Sequence, residues 1–342
     1  MPRHATIKST GAYLPPIEIS NETLTRELLE LNGGNPIITD VMQKLELSSG
    51  IKKRWYAPED QCTSDIALPA ARQALERAGL KPTDVDLIIL GTDSPDYISP
   101  ATSTILQYKL GATNAGSFDV GCACASFPAA LQAGAGILTT NESINVVLCL
   151  GVYNMHKLTA KNDPMRFLFG DGAGAAVLVP SSKPGFVSGV FKADGSYADR
   201  LGMFSGGTVE PATEESVRAG RCRVQAPGKY PPEMNIEFWP MMVRELARRG
   251  KFQVSDIDLA IFTQVRKPTI EDVMKDLGLP IEKTHMIMEE SGYTGSACVP
   301  MAFDAAVQAG KAKPGSDQLV VMVSSGVGYN LAGCAFRMAQ PA

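Results

Sequence analysis

Asp84-Val85-Asp86-Leu87-Ile88-Ile89-Leu90 returns later in the chain as Asp256-Ile257-Asp258-Leu259-Ala260-Ile261-Phe262, displaced by 172 residues. Each copy is an acidic start followed by a short apolar run, the pattern of a buried strand. Ahead of each lies a helical pattern closed by glycine, Ala70 to Gly79 in one and Val243 to Gly250 in the other. Glycine just past a periodic segment stops a helix. The helix text Phe127-Pro128-Ala129-Ala130-Leu131-Gln132-Ala133-Gly134 is echoed by Phe303-Asp304-Ala305-Ala306-Val307-Gln308-Ala309-Gly310 at an offset of 176. Val146 to Gly151 is matched by the run from Val320 to Gly326 at 175. Blocks recurring in one order at nearly one offset predict a duplicated helix–strand–helix–strand unit. One half is residues 1-179 and the other 180-342, with Pro180 to Gly185 as the turn between them.

Two segments depart from this plan. Ser20 to Leu47 carries helical patterning and is expected to cap the substrate entrance. Ser205 to Pro232 is rich in Gly, Pro and charge with little periodicity, and reads as a surface excursion.

Composition narrows the function. Of 342 residues 44% are hydrophobic, enough for a large core. Lys plus Arg number 32 and Asp plus Glu 36, a net charge of −4, with no basic block for nucleic acid. No run of about 18 apolar residues points to a membrane span, and the N-terminus does not read as a secretory signal. Seven cysteines at irregular spacing fit reduced thiols and a cytoplasmic protein better than a disulfide framework.

The most informative local text is Phe118-Asp119-Val120-Gly121-Cys122-Ala123-Cys124-Ala125-Ser126-Phe127, an apolar strand running through small residues into a helix. A cysteine at such a helix start meets unpaired N–H groups and the positive end of the dipole, which favour a thiolate. Small neighbours leave room for an acyl group, and an adjacent N–H can face a thioester oxygen. Free cysteines are also common small core residues. With three histidines and no second thiol pair, a metal site is not expected.

Three runs, Phe118–Phe127, Leu168-Phe169-Gly170-Asp171-Gly172-Ala173-Gly174-Ala175-Ala176-Val177-Leu178 and Ala193-Asp194-Gly195-Ser196-Tyr197, together resemble β-ketoacyl-acyl-carrier-protein synthase III of the thiolase superfamily. The similarity extends from Gly11-Ala12-Tyr13-Leu14-Pro15 to Cys334-Ala335-Phe336-Arg337. The resemblance implies an α/β, duplicated, five-layered α-β-α-β-α thiolase-like fold, which the internal repeat fits, and a homodimer. It places Cys124, rather than Cys122, on the family's acyl-accepting cysteine. Gly328 falls in the Gly-rich loop that supplies the second backbone N–H of the thioester oxyanion hole. The substrate it implies is acyl-CoA or acyl-carrier phosphopantetheine, with acyl carrier protein as partner and no permanently bound cofactor. Fatty-acid or polyketide synthesis is the implied setting.

The pattern breaks where the family has a His and an Asn. Thr263, in Phe262-Thr263-Gln264-Val265-Arg266, stands at the His position, and Tyr293, in Ser291-Gly292-Tyr293-Thr294-Gly295-Ser296, at the Asn position. Losing one oxyanion donor typically costs about 10²–10³ in rate. Thr263 and Tyr293 bring hydroxyls that can rebuild the second oxyanion site, yet neither is a base near neutrality. Acyl loading on Cys124 is therefore expected; the family's usual elongation with malonyl-carrier protein is the alternative, and it would require Thr263 and Tyr293 to do the work of His and Asn.

Three acid–base candidates remain: His156, Asp93, and the pair Glu289 and Glu290 ahead of the Ser291-Gly292-Tyr293 turn, which also reads as a solvated pair of acids. His156 follows the strand ending near Gly151 and, on the resemblance, borders the cofactor entrance; it also reads as a surface histidine. Asp93 ends the first repeat's strand where related hydroxymethylglutaryl-coenzyme-A synthases hold a catalytic Glu; it also reads as a turn former. The family's entrance Trp and Arg are absent from Asp40 to Ile51, where Ser48 holds the Arg position. Lys157 falls on a second phosphate-contacting Arg. Met155, Phe167, Met203 and Phe204 are candidates for the tunnel wall. The chain thus reads as an acyl-thioester transferase working through Cys124. The alternative is a partner subunit of a heteromeric thiolase-like complex, holding acyl groups without turnover of its own.

Overall fold

Aliphatic runs without a polar face become inner strands, because only a site covered on both sides suits them. The computed structural model describes residues 3–342. It begins with β1 (His4–Tyr13) and β2 (Ile17–Ser20), then α1 (Asn21–Leu31), α2 (Ile37–Ser49) and β3 (Lys53–Tyr56), which pairs antiparallel with β2. The first repeat follows as α3 (Thr63–Ala78), β4 (Leu87–Gly91), α4 (Thr102–Leu110), β5 (Gly116–Val120), α5 (Ser126–Thr140), β6 (Val147–Tyr153) and β7 (Gly172–Ser181). The second comprises β8 (Phe186–Ala193), α6 (Glu214–Arg218), α7 (Met234–Gly250), β9 (Leu259–Phe262), α8 (Lys267–Asp276), α9 (Met288–Ser291), α10 (Cys298–Gln308), β10 (Leu319–Gly326) and β11 (Asn330–Arg337).

The strand order is β1-β7-β6-β4-β5 in one sheet and β8-β11-β10-β9 in the other. In both, two antiparallel pairings lead to a parallel one. The duplication is visible in register, since Leu87 lies opposite Val147 just as Leu259 lies opposite Val320. The starts of α5 and α10, Ser126 and Cys298, differ by 172, like Leu87 and Leu259. The helix echo at 176 is therefore four residues, about one turn, out of structural register. Helices α5 and α10 pack between the sheets, with α3 and α4 outside the first sheet and α7 and α8 against the second half. This is the expected thiolase-like α-β-α-β-α layering.

A helix between two sheets is buried nearly all round, so its side chains must be small. In α5 a Cβ at Gly134 would meet Cys149, Leu178 and Val147 at 3.0–3.1 Å. Polar ties cross the layers as well. Asp304 of α10, nearly buried, accepts from Thr10 of β1 at 2.7 Å and from Arg77 of α3 at 2.6 Å. Breaking such a pair would leave an uncompensated buried carboxylate. The segment Ser20 to Leu47 does form helices, α1 and α2, but they border a separate cleft floored by Phe167. Among the described residues no helix is long and apolar enough to cross a membrane.

The tightest approach of one half to the backbone of the other is at β6, where a Cβ on Gly151 would come within 2.2 Å of the Ser296 carbonyl oxygen. Backbone cannot yield as a side-chain tip can. Gly151→Ala is expected to lower unfolding stability by about 1–3 kcal/mol, measured by urea denaturation. A neutral outcome would mean that the two halves slide past each other more freely than the packing implies.

Candidate active site

Strand β5 ends at Val120, and the chain folds through a tight turn into α5. Ala123 takes φ +47°, the left-handed region where a side chain costs about 1–3 kcal/mol. Ser126 holds the turn by donating to Ala123 O at 2.6 Å and accepting from Cys122 N at 3.0 Å. The result aims Cys124 inward, 4% exposed, and leaves Cys122 half-buried. Gly326, at the end of β10, lies against the same turn. A Cβ there would stand 2.6 Å from Cys122 O and 2.8 Å from Cys124 N.

Cys124 opens on a cavity of about 270 Å³. Asp93, Tyr153, Thr263, Tyr293 and Tyr230 share its wall, with Met155 and Met203 among the apolar lining. Phe204 is not part of that wall, and Phe167 lies under the Arg54 guanidinium, 4.7 Å from its ring centre.

Burial dominates the electrostatics. It pushes the Cys124 thiol well above its ordinary value, the Asp93 carboxylate adds to that, and a hydrogen bond from Tyr293 opposes it. The helix-start argument for a resting thiolate is thus outweighed by desolvation. Asp93 is also raised by burial, to about 6, against the bond it receives from Ser296 Oγ at 2.9 Å. Tyr293 is held by backbone pairing, its N–H on Leu168 O at 2.7 Å and its carbonyl taking Gly170 N–H at 3.0 Å. Burial and the nearby Cys124 keep its phenol neutral. Tyr153 packs against it with ring centres 6.1 Å apart.

Thr263 has a different role from the one its hydroxyl suggests. Ser324 Oγ donates to Cys124 O at 2.7 Å, so the 2.7 Å contact between Thr263 and Ser324 uses the Thr263 proton. Thr263 Oγ1 also accepts from Ser325 N at 3.0 Å. Its hydroxyl lines the cavity but its donor is committed, and the chain of bonds braces the Cys124 carbonyl. Gly328 adopts φ +71°, and its N–H points at the Tyr230 hydroxyl, 3.1 Å away.

His156 and Lys157 do not join Cys124. The His156 ring stacks on Tyr56 at 4.5 Å and 11°, with Nδ1 against Asp171, and faces a second cleft with Glu59 and Arg166. The Lys157 ammonium donates to Glu59 O at 2.7 Å and to Gln61 O, which ties it to a loop. Among the described residues no cluster of His, Cys, Asp and Glu is arranged to hold a metal.

Tyr153, Tyr230 and Asn235 of the cavity wall, and Ser296 behind Asp93, were not among the expected site residues. Asn235 accepts from Ser325 Oγ at 3.0 Å, and Ser325 in turn accepts from Trp239 Nε1 at 3.2 Å. The stretch read as a surface excursion instead supplies Val224, Tyr230 and Pro231 to the cavity wall. The step Tyr230-Pro231-Pro232, an aromatic fixed ahead of two prolines, was the available signal.

Two family models match this chain, one described as 3-oxoacyl-[acyl-carrier-protein] synthase III over residues 118–195 and one as its C-terminal part over 247–338. The beta-ketoacyl-[acyl-carrier-protein] synthase III of Neisseria meningitidis serogroup C is 31% identical over 332 residues, 96% of this chain and 98% of the relative. The structure is similar to the 3-oxoacyl-(acyl carrier protein) synthase III of Pseudomonas aeruginosa, with TM-score 0.83, 26% identity and 99% of each chain covered. A priming beta-ketosynthase from a polyketide biosynthetic pathway matches with TM-score 0.84 and 27% identity over 99% of this chain and 98% of its own.

The raised Asp93 makes stability depend on pH. The folded chain binds this proton more tightly than the unfolded chain does, so stability falls as pH rises from about 3.8 to about 6 and is level above that. Asp93→Asn is expected to abolish this fall. Urea unfolding of both proteins across that range measures the difference directly; parallel curves would place Asp93 in contact with bulk water.

Proposed function

This chain belongs to the 3-oxoacyl-[acyl-carrier-protein] synthase III family, and from that we propose that it carries an acyl group on Cys124 and transfers it, with Asp93 moving the proton. It is an acyltransferase of the synthase III type. The observation that supports the reading most is that a buried neutral thiol and a carboxyl raised to about 6 share one cavity, with no histidine in its wall.

In the first step Asp93 takes the Cys124 proton and the sulfur attacks the thioester carbonyl. The carbon–sulfur bond to coenzyme A or carrier phosphopantetheine breaks, and the leaving thiolate recovers the proton from Asp93. The acyl group now sits on Cys124 and the donor leaves as a thiol. In the second step Asp93 removes a proton from the acceptor, which attacks the acyl-enzyme; the acyl–sulfur bond breaks and the Cys124 thiolate takes that proton back from Asp93.

The acceptor is therefore one with a proton to give, at oxygen, nitrogen or an acidic carbon. Decarboxylation of a malonyl group would need two free donors on an enolate oxygen. The Thr263 donor is committed to Ser324 and the Tyr293 phenol serves the Cys124 thiol. In this reading residues 1-179 bring the nucleophile and 180-342 brace it. A second copy would extend the first sheet at β5, an edge strand with half-exposed residues. Acyl carrier protein is the proposed donor-side partner.

Intact-protein mass spectrometry after mixing with acyl-CoA and acyl-carrier thioesters tests this. The chain is expected to gain one acyl mass, Cys124→Ala to gain none, and Asp93→Asn to load about 10²–10⁴-fold more slowly. No gain from any donor would refute the reading and favour a subunit that needs a partner.

A further inference from the structure

Gly328 carries the backbone N–H that a synthase of this type would turn toward the thioester oxygen, yet here that N–H is occupied. It donates to the Tyr230 hydroxyl at 3.1 Å. We propose that Tyr230 is itself a catalytic residue: its phenol, seated on the Gly328 N–H, is the donor that meets the thioester oxygen on this side of the cavity. The inference rests on the acyl-transfer reading and adds a group to it.

The proton of Tyr230 is available for this. The nearest acceptor in the structure is Tyr197 O at 3.5 Å, beyond the 2.5–3.0 Å of a sound O–H···O bond. The phenol lines the same cavity as Cys124. Partial burial raises it above its ordinary value, so it holds its proton through the pH range in which Asp93 works.

The ring is also placed in advance. It stacks on Tyr197 at 5.7 Å and 23°, sits 6.2 Å from Tyr329, and is followed directly by Pro231 and Pro232. A donor held before charge develops need not reorganise when it does, and this is what makes oxyanion sites effective. The arrangement N–H···O–H···O⁻ adds a further gain, because each bond in such a chain polarises the next. The negative oxygen of the tetrahedral intermediate takes the phenol's hydrogen bond without taking its proton, so no atom is transferred at this position.

The contrary reading is that Tyr230 is a plug that must leave before the Gly328 N–H can act. One substitution separates the two, since Tyr230→Phe keeps the ring and its stacking and removes only the hydroxyl. If Tyr230 is the donor, the rate of acyl-Cys124 formation at saturating acyl-CoA falls by about 10²-fold, while the half-saturating donor concentration changes little. If Tyr230 is a plug, Tyr230→Phe loads as fast as the wild type or faster, and the proposal fails. Fluorinated tyrosine at position 230 supplies the second variant: the loading rate is expected to change with the acidity of the phenol, and a rate indifferent to it overturns the assignment. A wild-type protein that takes no acyl group at all would remove the acyl-transfer reading, and this inference with it. A wild type that loads normally beside an equally fast Tyr230→Phe would remove this inference alone.

Discussion

The Cys124 cavity depends on strand ends reaching the opposite half with no side chain between. Gly326, at the end of β10, presses on the turn that carries Cys124, and Gly151 of β6 presses on the corresponding turn at Ser296. Gly295, at φ +42°, lies where a Cβ would be 2.1 Å from the Tyr153 ring. Each half therefore clamps the helix-start turn of the other, as the duplication requires. The bonds from Thr263 through Ser324 to the Cys124 carbonyl complete the clamp with polar atoms. Close-packed interiors resist such displacement, so the position of Cys124 is set by the meeting of two halves rather than by its own loop.

That enclosure also decides the charges. A thiol at the start of a helix has every local reason to ionise, but the dipole acts within a turn and desolvation acts from all sides. At rest the cavity wall holds Cys124 as thiol and Tyr293 and Tyr153 as phenols, while Asp93, at about 6, is the group that carries charge near neutrality and can accept a proton. In such surroundings a proton moved by a short distance changes more than it would in water, because little screening intervenes.

The layers were legible because burial writes itself into composition. The two aliphatic runs at Leu87 and Leu259 became fully buried strands in corresponding places, β4 inside the first sheet and β9 at the end of the second, and the small-residue text around Cys124 became the turn into α5. The cavity was less legible, since it is assembled from distant segments. Whether the Thr263 hydroxyl faces a substrate or a neighbour depends on Ser324, 61 residues away. Met155 and His156 are adjacent in sequence, yet one lines the Cys124 cavity and the other turns to a separate cleft, a divergence that no pattern of residue types records. Tyr230 was hidden for the opposite reason: its segment lacks periodicity, and irregular backbone looks like surface until a wall is found to be made of it.

One buried side chain connects this chemistry to light. Trp239 stacks on Phe262 at 5.5 Å and 13°, and its indole N–H ends on Ser325, whose own hydroxyl reaches Asn235 in the cavity wall. The chain has only one other tryptophan, Trp55, whose indole N–H bonds Glu290 O on an exposed surface. Its fluorescence is thus divided between an indole wired to the cavity floor and one that faces solvent, and the native protein carries its own optical gauge of whether that floor is dry, wet or filled.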